Sequence, residues 1–243
     1  MQKIIGFIAL IGIAIGIAWW SMKPQDEVQQ ADGASSDPLK VGFVYLTNPG
    51  DHGWTYAHEV GRQDLQAHFG DKIETNFVEN VAEGPDAARV IRELVEQGNE
   101  VIFTTSFGYM DPTLKVSKEF PNVKFHHITG YKRSENMATG NIRFYEGRYV
   151  QGVVAGLMTK TNKIGYLGAF PIPEVIQGIN AFASGLRSVN KEASISVVWV
   201  NSWYDPVKES DAAKVLIAEG ADLLAQHTAV SYTHLRAHET RHD

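Results

Sequence analysis

Two short stretches of this 243-residue chain concentrate side chains that could do chemistry. Asp51-His52-Gly53-Trp54 sets a carboxylate, an imidazole and a large π-face side by side, and Ser106-Phe107-Gly108-Tyr109-Met110-Asp111-Pro112 sets two rings around a glycine ahead of another carboxylate. Such sets suit recognition of a flat, uncharged ring, because aromatic faces stack while carboxylates accept hydrogen bonds from hydroxyls or amines. Phe107 and Tyr109 lie two apart and point the same way in an extended segment. Gly108 lets a ligand approach the backbone. Tyr145, in Arg143-Phe144-Tyr145-Glu146, and Phe170, in Phe170-Pro171-Ile172-Pro173-Glu174, supply further rings; Asn201 and Trp203, in Asn201-Ser202-Trp203-Tyr204-Asp205-Pro206, add an amide and an indole. The candidate ligand contacts are Asp51, Trp54, Phe107, Tyr109, Asp111, Tyr145, Phe170, Asn201 and Trp203. Each has a structural use as well: Asp51 and Asp111 could cap helices, and the rings could fill cores.

Those stretches fall at regular points in an alternating pattern. Val41, Phe43, Val44 and Tyr45 read as a strand buried on both faces. Asn48-Pro49-Gly50-Asp51 breaks it, and a helical pattern runs through Trp54, Ala57, Val60, Leu65 and Phe69. Strands are expected at 72–78, 100–105, 123–129 and 140–143, with helices from Pro85 to Gly98 and from the 106–112 stretch to Phe120. A second series follows: helix 146–159, strand 163–167, helix 175–189, strand 195–200, helix 207–219 and strand 222–226. Gly147, Gly152, Ala155 and Gly156 make the first of those helices suited to close packing. This order predicts an α/β fold of two doubly wound parallel-sheet lobes, residues 39–143 and 144–228, joined near 141–146. Every candidate stretch sits after a strand, where open α/β sheets bind ligands.

Composition narrows the chemistry. The net charge of −6 argues against nucleic acid as a partner. The absence of cysteine removes thiol catalysis, cysteine-ligated zinc and a lipid-modified cysteine. No dinucleotide fingerprint, phosphate-binding loop or nucleophile elbow is present, so no cofactor and no catalytic residue is assigned.

Residues 1–20 carry Lys3 and then, from Ile4 to Trp20, seventeen uncharged positions. This reads as a signal peptide or an uncleaved signal anchor; the paired tryptophans suit a membrane interface and Lys3 stays inside. Residues 21–38 are a polar linker. Residues 229–243 lack any apolar period. His234, His238 and His242 share one helical face there, but the tail resembles translated adapter sequence, and the reading is non-native residues rather than a metal site, on a native protein that is longer.

Six stretches together resemble the basic-membrane-protein family of ABC-transporter solute-binding proteins, the group with purine nucleoside receptors. They are GDHGWTYAHE (50–59), TSFGYMDP (105–112), RFYEGRY (143–149), AFPIPEVIQGIN (169–180), VWVNSWYDP (198–206) and AQHT (225–228). The resemblance implies a type I periplasmic-binding fold, two lobes and a hinge, with the second lobe incomplete here. It implies a purine nucleoside or purine base as ligand, delivered to an ABC permease driven by a separate ATPase. By residue it implies stacking and ribose or base hydrogen bonding at Asp51, Trp54, Phe107, Asp111, Phe170 and Trp203. Many family members anchor through a lipid-bearing cysteine, which this chain lacks, so here residues 4–20 are expected to export the chain to the periplasm or outer membrane face, or to hold it there. The rival readings are a sugar receptor on the same architecture and a nucleoside hydrolase using Asp51, His52 and Asp111.

Overall fold

The structure, a computed structural model, describes residues 37–50 and 53–228. The leader, most of the linker, Asp51, His52 and the tail lie outside them. The elements run β1 (Leu39–Val44), α1 (Trp54–Phe69), β2 (Ile73–Val78), α2 (Pro85–Glu96), β3 (Val101–Thr104), α3 (Met110–Glu119), β4 (Lys124–Ile128), β5 (Met137–Gly140), α4 (Phe144–Met158), β6 (Lys163–Gly168), α5 (Pro173–Val189), β7 (Ser194–Trp199), α6 (Pro206–Ala218) and β8 (Leu223–His227). They build two separate all-parallel sheets, one ordered β2-β1-β3-β4-β5 and one ordered β7-β6-β8.

Parallel strands are covered on both faces and so read as nearly continuous apolar runs. Val41, Phe43, Val44 and Tyr45 are all buried, as β1's composition requires. Phe43 stacks on Phe103 of the paired β3, ring centroids 4.9 Å apart. On one side of the first sheet Val44, Ile91, Leu94, Ile102, Tyr109, Val116 and Phe125 form a single core. In the second lobe Ile164, Tyr166, Phe182 and Leu186 form one core, and Leu167, Val200 and Leu216 a second.

Two expectations change. The strand expected over 140–143 runs instead over Met137–Gly140: Met137 is buried and pairs with Phe125, while Ile142 is 71% exposed. The periodicity of α1 also misleads. Its buried face carries Thr55 and Glu59, with Ala57 and Phe69 exposed. A polar network makes that face workable. Glu59 accepts from Tyr45 Oη at 3.2 Å and from Arg62 at 2.8 and 2.6 Å, and Arg62 also donates to Thr75. Buried ions need such satisfaction of every charge.

α4 and α5 pack through glycines. A Cβ on Gly152 would lie 2.0 Å from the Phe182 carbonyl oxygen, and one on Gly185 2.0 Å from that of Tyr149. Gly147, on the same helix as Gly152, faces open space.

Candidate functional site

Parallel strands deliver their carboxyl ends to one side, so the loops after β1, β3, β4 and β5 gather there. Trp54 opens α1 and is held by its own indole, whose Nε1–H donates to the Thr105 carbonyl at 2.5 Å. His58, one turn on, meets the Trp54 ring edge-on at 4.6 Å. Burial holds His58 at about 4, so the imidazole is neutral, and its Nε2 has no partner among the described residues. Thr47 and Thr55 hydroxyls bond at 2.7 Å across the same turn.

The turn after β3 presents Phe107, half-buried and with no ring partner among the described residues. Tyr109 does not join it. Its ring is fully buried in the first-lobe core and its hydroxyl donates to the Val81 carbonyl at 2.6 Å, leaving no surface for a ligand. Burial, with Glu83 and Asp86 nearby, raises that phenol above its ordinary range. The space over Gly108 is also taken, since a Cβ there would lie 2.3 Å from Glu83 Cδ. Glu83 Oε1 accepts from Ser106 Oγ at 2.5 Å and from the Gly108 N–H at 2.8 Å. Asp111 lies in the first turn of α3 and pairs with Lys132 at 2.6 Å, its side chain 68% exposed.

In the second lobe, Phe170 after β6 and Trp203 after β7 meet edge to face at 5.3 Å. Asn201 sits beside them with φ 54°, its N–H donating to the Ala169 carbonyl. Asp205 is spent as the cap of α6: its Oδ1 accepts from the Lys208 N–H, which with the Lys208 ammonium holds the carboxyl below its usual range. Tyr145 is half-buried in the first turn of α4.

Two contacts bring the strand-end regions of the lobes together. Trp54 lies 6.1 Å, ring to ring, from Phe144 at the start of α4. Glu174 Oε2, in the first turn of α5, accepts from Asn141 Nδ2 at 3.1 Å, just past the end of β5. Glu174 Oε1 lies 3.7 Å from His227 Nε2 at the end of β8. Glu83, Glu174 and His227 thus stand beside the expected residues without having been singled out. Among the described residues no group of histidines and carboxylates is placed to hold a metal, and no helix is long and apolar enough to cross a membrane. The leader from Ile4 to Trp20 and the tail histidines fall outside that range. A groove of 370 Å³ lies elsewhere, between α4 and β8, lined by Val154, Met158, Phe182 and Leu223 among others; none of the candidate residues borders it.

The model of the PnrA-like ABC-transporter substrate-binding proteins matches residues 39–234. The chain belongs to that family. A purine-binding protein of Brucella abortus (strain 2308) is 58% identical over 194 residues, covering 80% of this chain and 55% of its relative. A Haloferax volcanii protein named as an ABC-transporter glucose-binding protein is 43% identical over 203 residues, covering 82% and 51%. The chain therefore spans about half the length of the curated relatives it matches. Among solved structures, a solute-binding protein from Conexibacter woesei aligns at TM-score 0.59 and 25% identity, over 78% of this chain and 64% of that one. A solute-binding protein from Aeropyrum pernix K1 aligns at TM-score 0.71 and 16% identity, over 82% and 58%. The type I periplasmic-binding architecture expected from sequence is thereby shown, the second lobe being represented in part. PnrA-like proteins are solute-binding components of ABC importers and work outside the cytoplasmic membrane.

Proposed function

We propose that this chain is the receptor of an importer for a purine nucleoside or purine base, which it takes up between its lobes and hands to a permease driven by a separate ATPase. The observation that carries the ligand class is the provision of indole and phenyl rings at strand ends of both lobes, Trp54 and Phe107 in one and Phe170 and Trp203 in the other. The 58% identical purine-binding relative supports it. Stacked rings hold a planar heterocycle without demanding charge from it. Asp111, Tyr145 and Asn201 are the exposed or half-buried groups left to bond its edge or its ribose, with Asp51, outside the described residues, as a further candidate carboxylate from the sequence. The ligand shifts the population toward a closed state because both lobes touch it only there. Residues 4–20 export the chain, or anchor it beside the permease.

A sugar is the second reading, favoured by the 43% identical glucose-binding relative and by the suitability of aromatic faces for pyranoses. Calorimetric titration of the purified protein with adenosine, inosine, guanine and glucose decides between them. Heat of binding from a purine compound and none from glucose is the expected result; the reverse transfers the protein to sugar uptake. Release of free base from inosine on incubation would make it a hydrolase instead.

A further inference from the structure

We propose that Glu83 is a positioning residue for the ligand ring, acting through Phe107; this rests on the purine-receptor reading. The loop after β2 carries none of the candidate ligand residues, yet it reaches across to the turn after β3 at two points. Tyr109 Oη donates to the Val81 carbonyl, and Glu83 Oε1 takes both the Ser106 hydroxyl and the Gly108 N–H. Ser106 and Gly108 are the two residues that flank Phe107. One carboxylate oxygen therefore holds the chain on either side of the ring, by the Ser106 hydroxyl before it and the Gly108 backbone N–H after it, and the Tyr109 N–H closes the turn on the Ser106 carbonyl at 3.0 Å.

Gly108 is part of the same device. Its φ is not in the left-handed region, so conformational freedom is not what requires glycine there. The requirement is room: a Cβ would lie 2.3 to 2.7 Å from the Glu83 carboxylate carbon and oxygens. Glu83 and Gly108 form a lock, a carboxylate seated where a side chain would otherwise be. An unclamped turn would leave Phe107 to sample several positions, and ordering it would then count against binding.

The test uses Glu83→Gln, Glu83→Ala, Phe107→Ala and the Glu83→Ala/Phe107→Ala double variant, with adenosine, inosine and guanine as probes. Glutamine keeps an oxygen that accepts both hydrogen bonds, so Glu83→Gln binds as the parent does, while Glu83→Ala loses affinity by about tenfold. With Phe107 removed, adding Glu83→Ala changes affinity by less than about twofold, since the path of its action is gone. Additive losses, or a glutamine variant as weak as the alanine one, overturn the proposal. Hydrogen exchange without ligand gives a separate readout. Glu83→Ala should speed exchange at the Gly108 amide by about tenfold or more and leave Ile102 in β3 unchanged. No purine binding by the parent sinks the receptor reading, and an unaltered Gly108 amide then sinks the clamp on its own evidence.

Discussion

Replacing Gly152 by alanine should destabilise the protein although alanine is the better helix former. In an α-helix the change gains about 1 kcal/mol from propensity. Against this, the new Cβ would stand 2.0 Å from the Phe182 carbonyl oxygen and 2.9 Å from the Leu186 nitrogen, where ordinary contact begins at 3.4 Å. The neighbouring atoms belong to backbone, so relief requires α4 and α5 to part by about 1.4 Å, the difference between those distances. Overpacking of this kind costs about 1–3 kcal/mol even where side chains can adjust. Backbone cannot adjust in this way, so the cost stands at the upper end of that range, about 3 kcal/mol, and after the propensity gain the net loss is roughly 2 kcal/mol. Gly147→Ala is the control: same helix, no atom within 4 Å, and an expected gain of up to about 1 kcal/mol. Urea unfolding followed by circular dichroism, at unchanged m, gives both values. Gly185→Ala should match Gly152→Ala, and the pair together should cost less than the sum, because one displacement of the helices relieves both clashes. If Gly152→Ala proves as stable as Gly147→Ala, the close crossing is wrong.

Three other outcomes are expected. Trp54→Ala or Phe107→Ala should each weaken purine binding by about 1–3 kcal/mol, the scale of base stacking on a ring; titration calorimetry with both variants unaffected would remove the stacking model. Stability should fall as pH drops from 6.5 to 4, because burial holds His58 and His127 at about 4 when folded while the unfolded chain takes up protons from 6.5 downward. Each histidine can account for up to roughly 3 kcal/mol, fully present above pH 6.5, and urea midpoints flat between pH 7 and 4.5 would refute it. Asp222 adds a lower window. Burial pushes its carboxyl up, but bonds from the Lys160 and Thr161 N–H groups and the Thr159 and Thr161 hydroxyls outweigh that and bring it to about 2. Its contribution is present above pH 3.8 and lost toward 2, and Asp222→Asn should erase that part of the acid limb.

The alternation of strands and helices was legible because parallel strands are apolar runs and Gly, Pro and Asn punctuate them. The aromatic loops were legible for the same reason: Phe170 and Trp203 sit in proline-bearing stretches that plainly interrupt the pattern. What failed was any judgement of which way a ring points. Tyr109 has the same spacing from Phe107 in either conformation, but a 3-10 turn rather than an extended segment sends it into the core. The strand at Met137 was shifted because Met137-Ala138-Thr139 is no more strand-like than Gly140-Asn141-Ile142; pairing with β4 decided it. Glu83 was invisible since its partners are 23 and 25 residues away, and Glu174 bonds Asn141 across 33. A carboxylate in a polar loop carries no periodic signal of such a role.

The strand order of the second sheet has a bearing on how the lobe is made. β6 is the first of its strands to leave the ribosome and lies between the two that follow it. β7 adds to one side of it and β8 to the other, so each newcomer finds a finished neighbour and no pairing has to be undone. Growth of this kind proceeds outward from the oldest strand. Its frontiers are β7 and β8, whose outer backbone groups pair with no strand among the described residues. A sheet assembled in that sequence accepts another strand at either frontier without reopening anything already built.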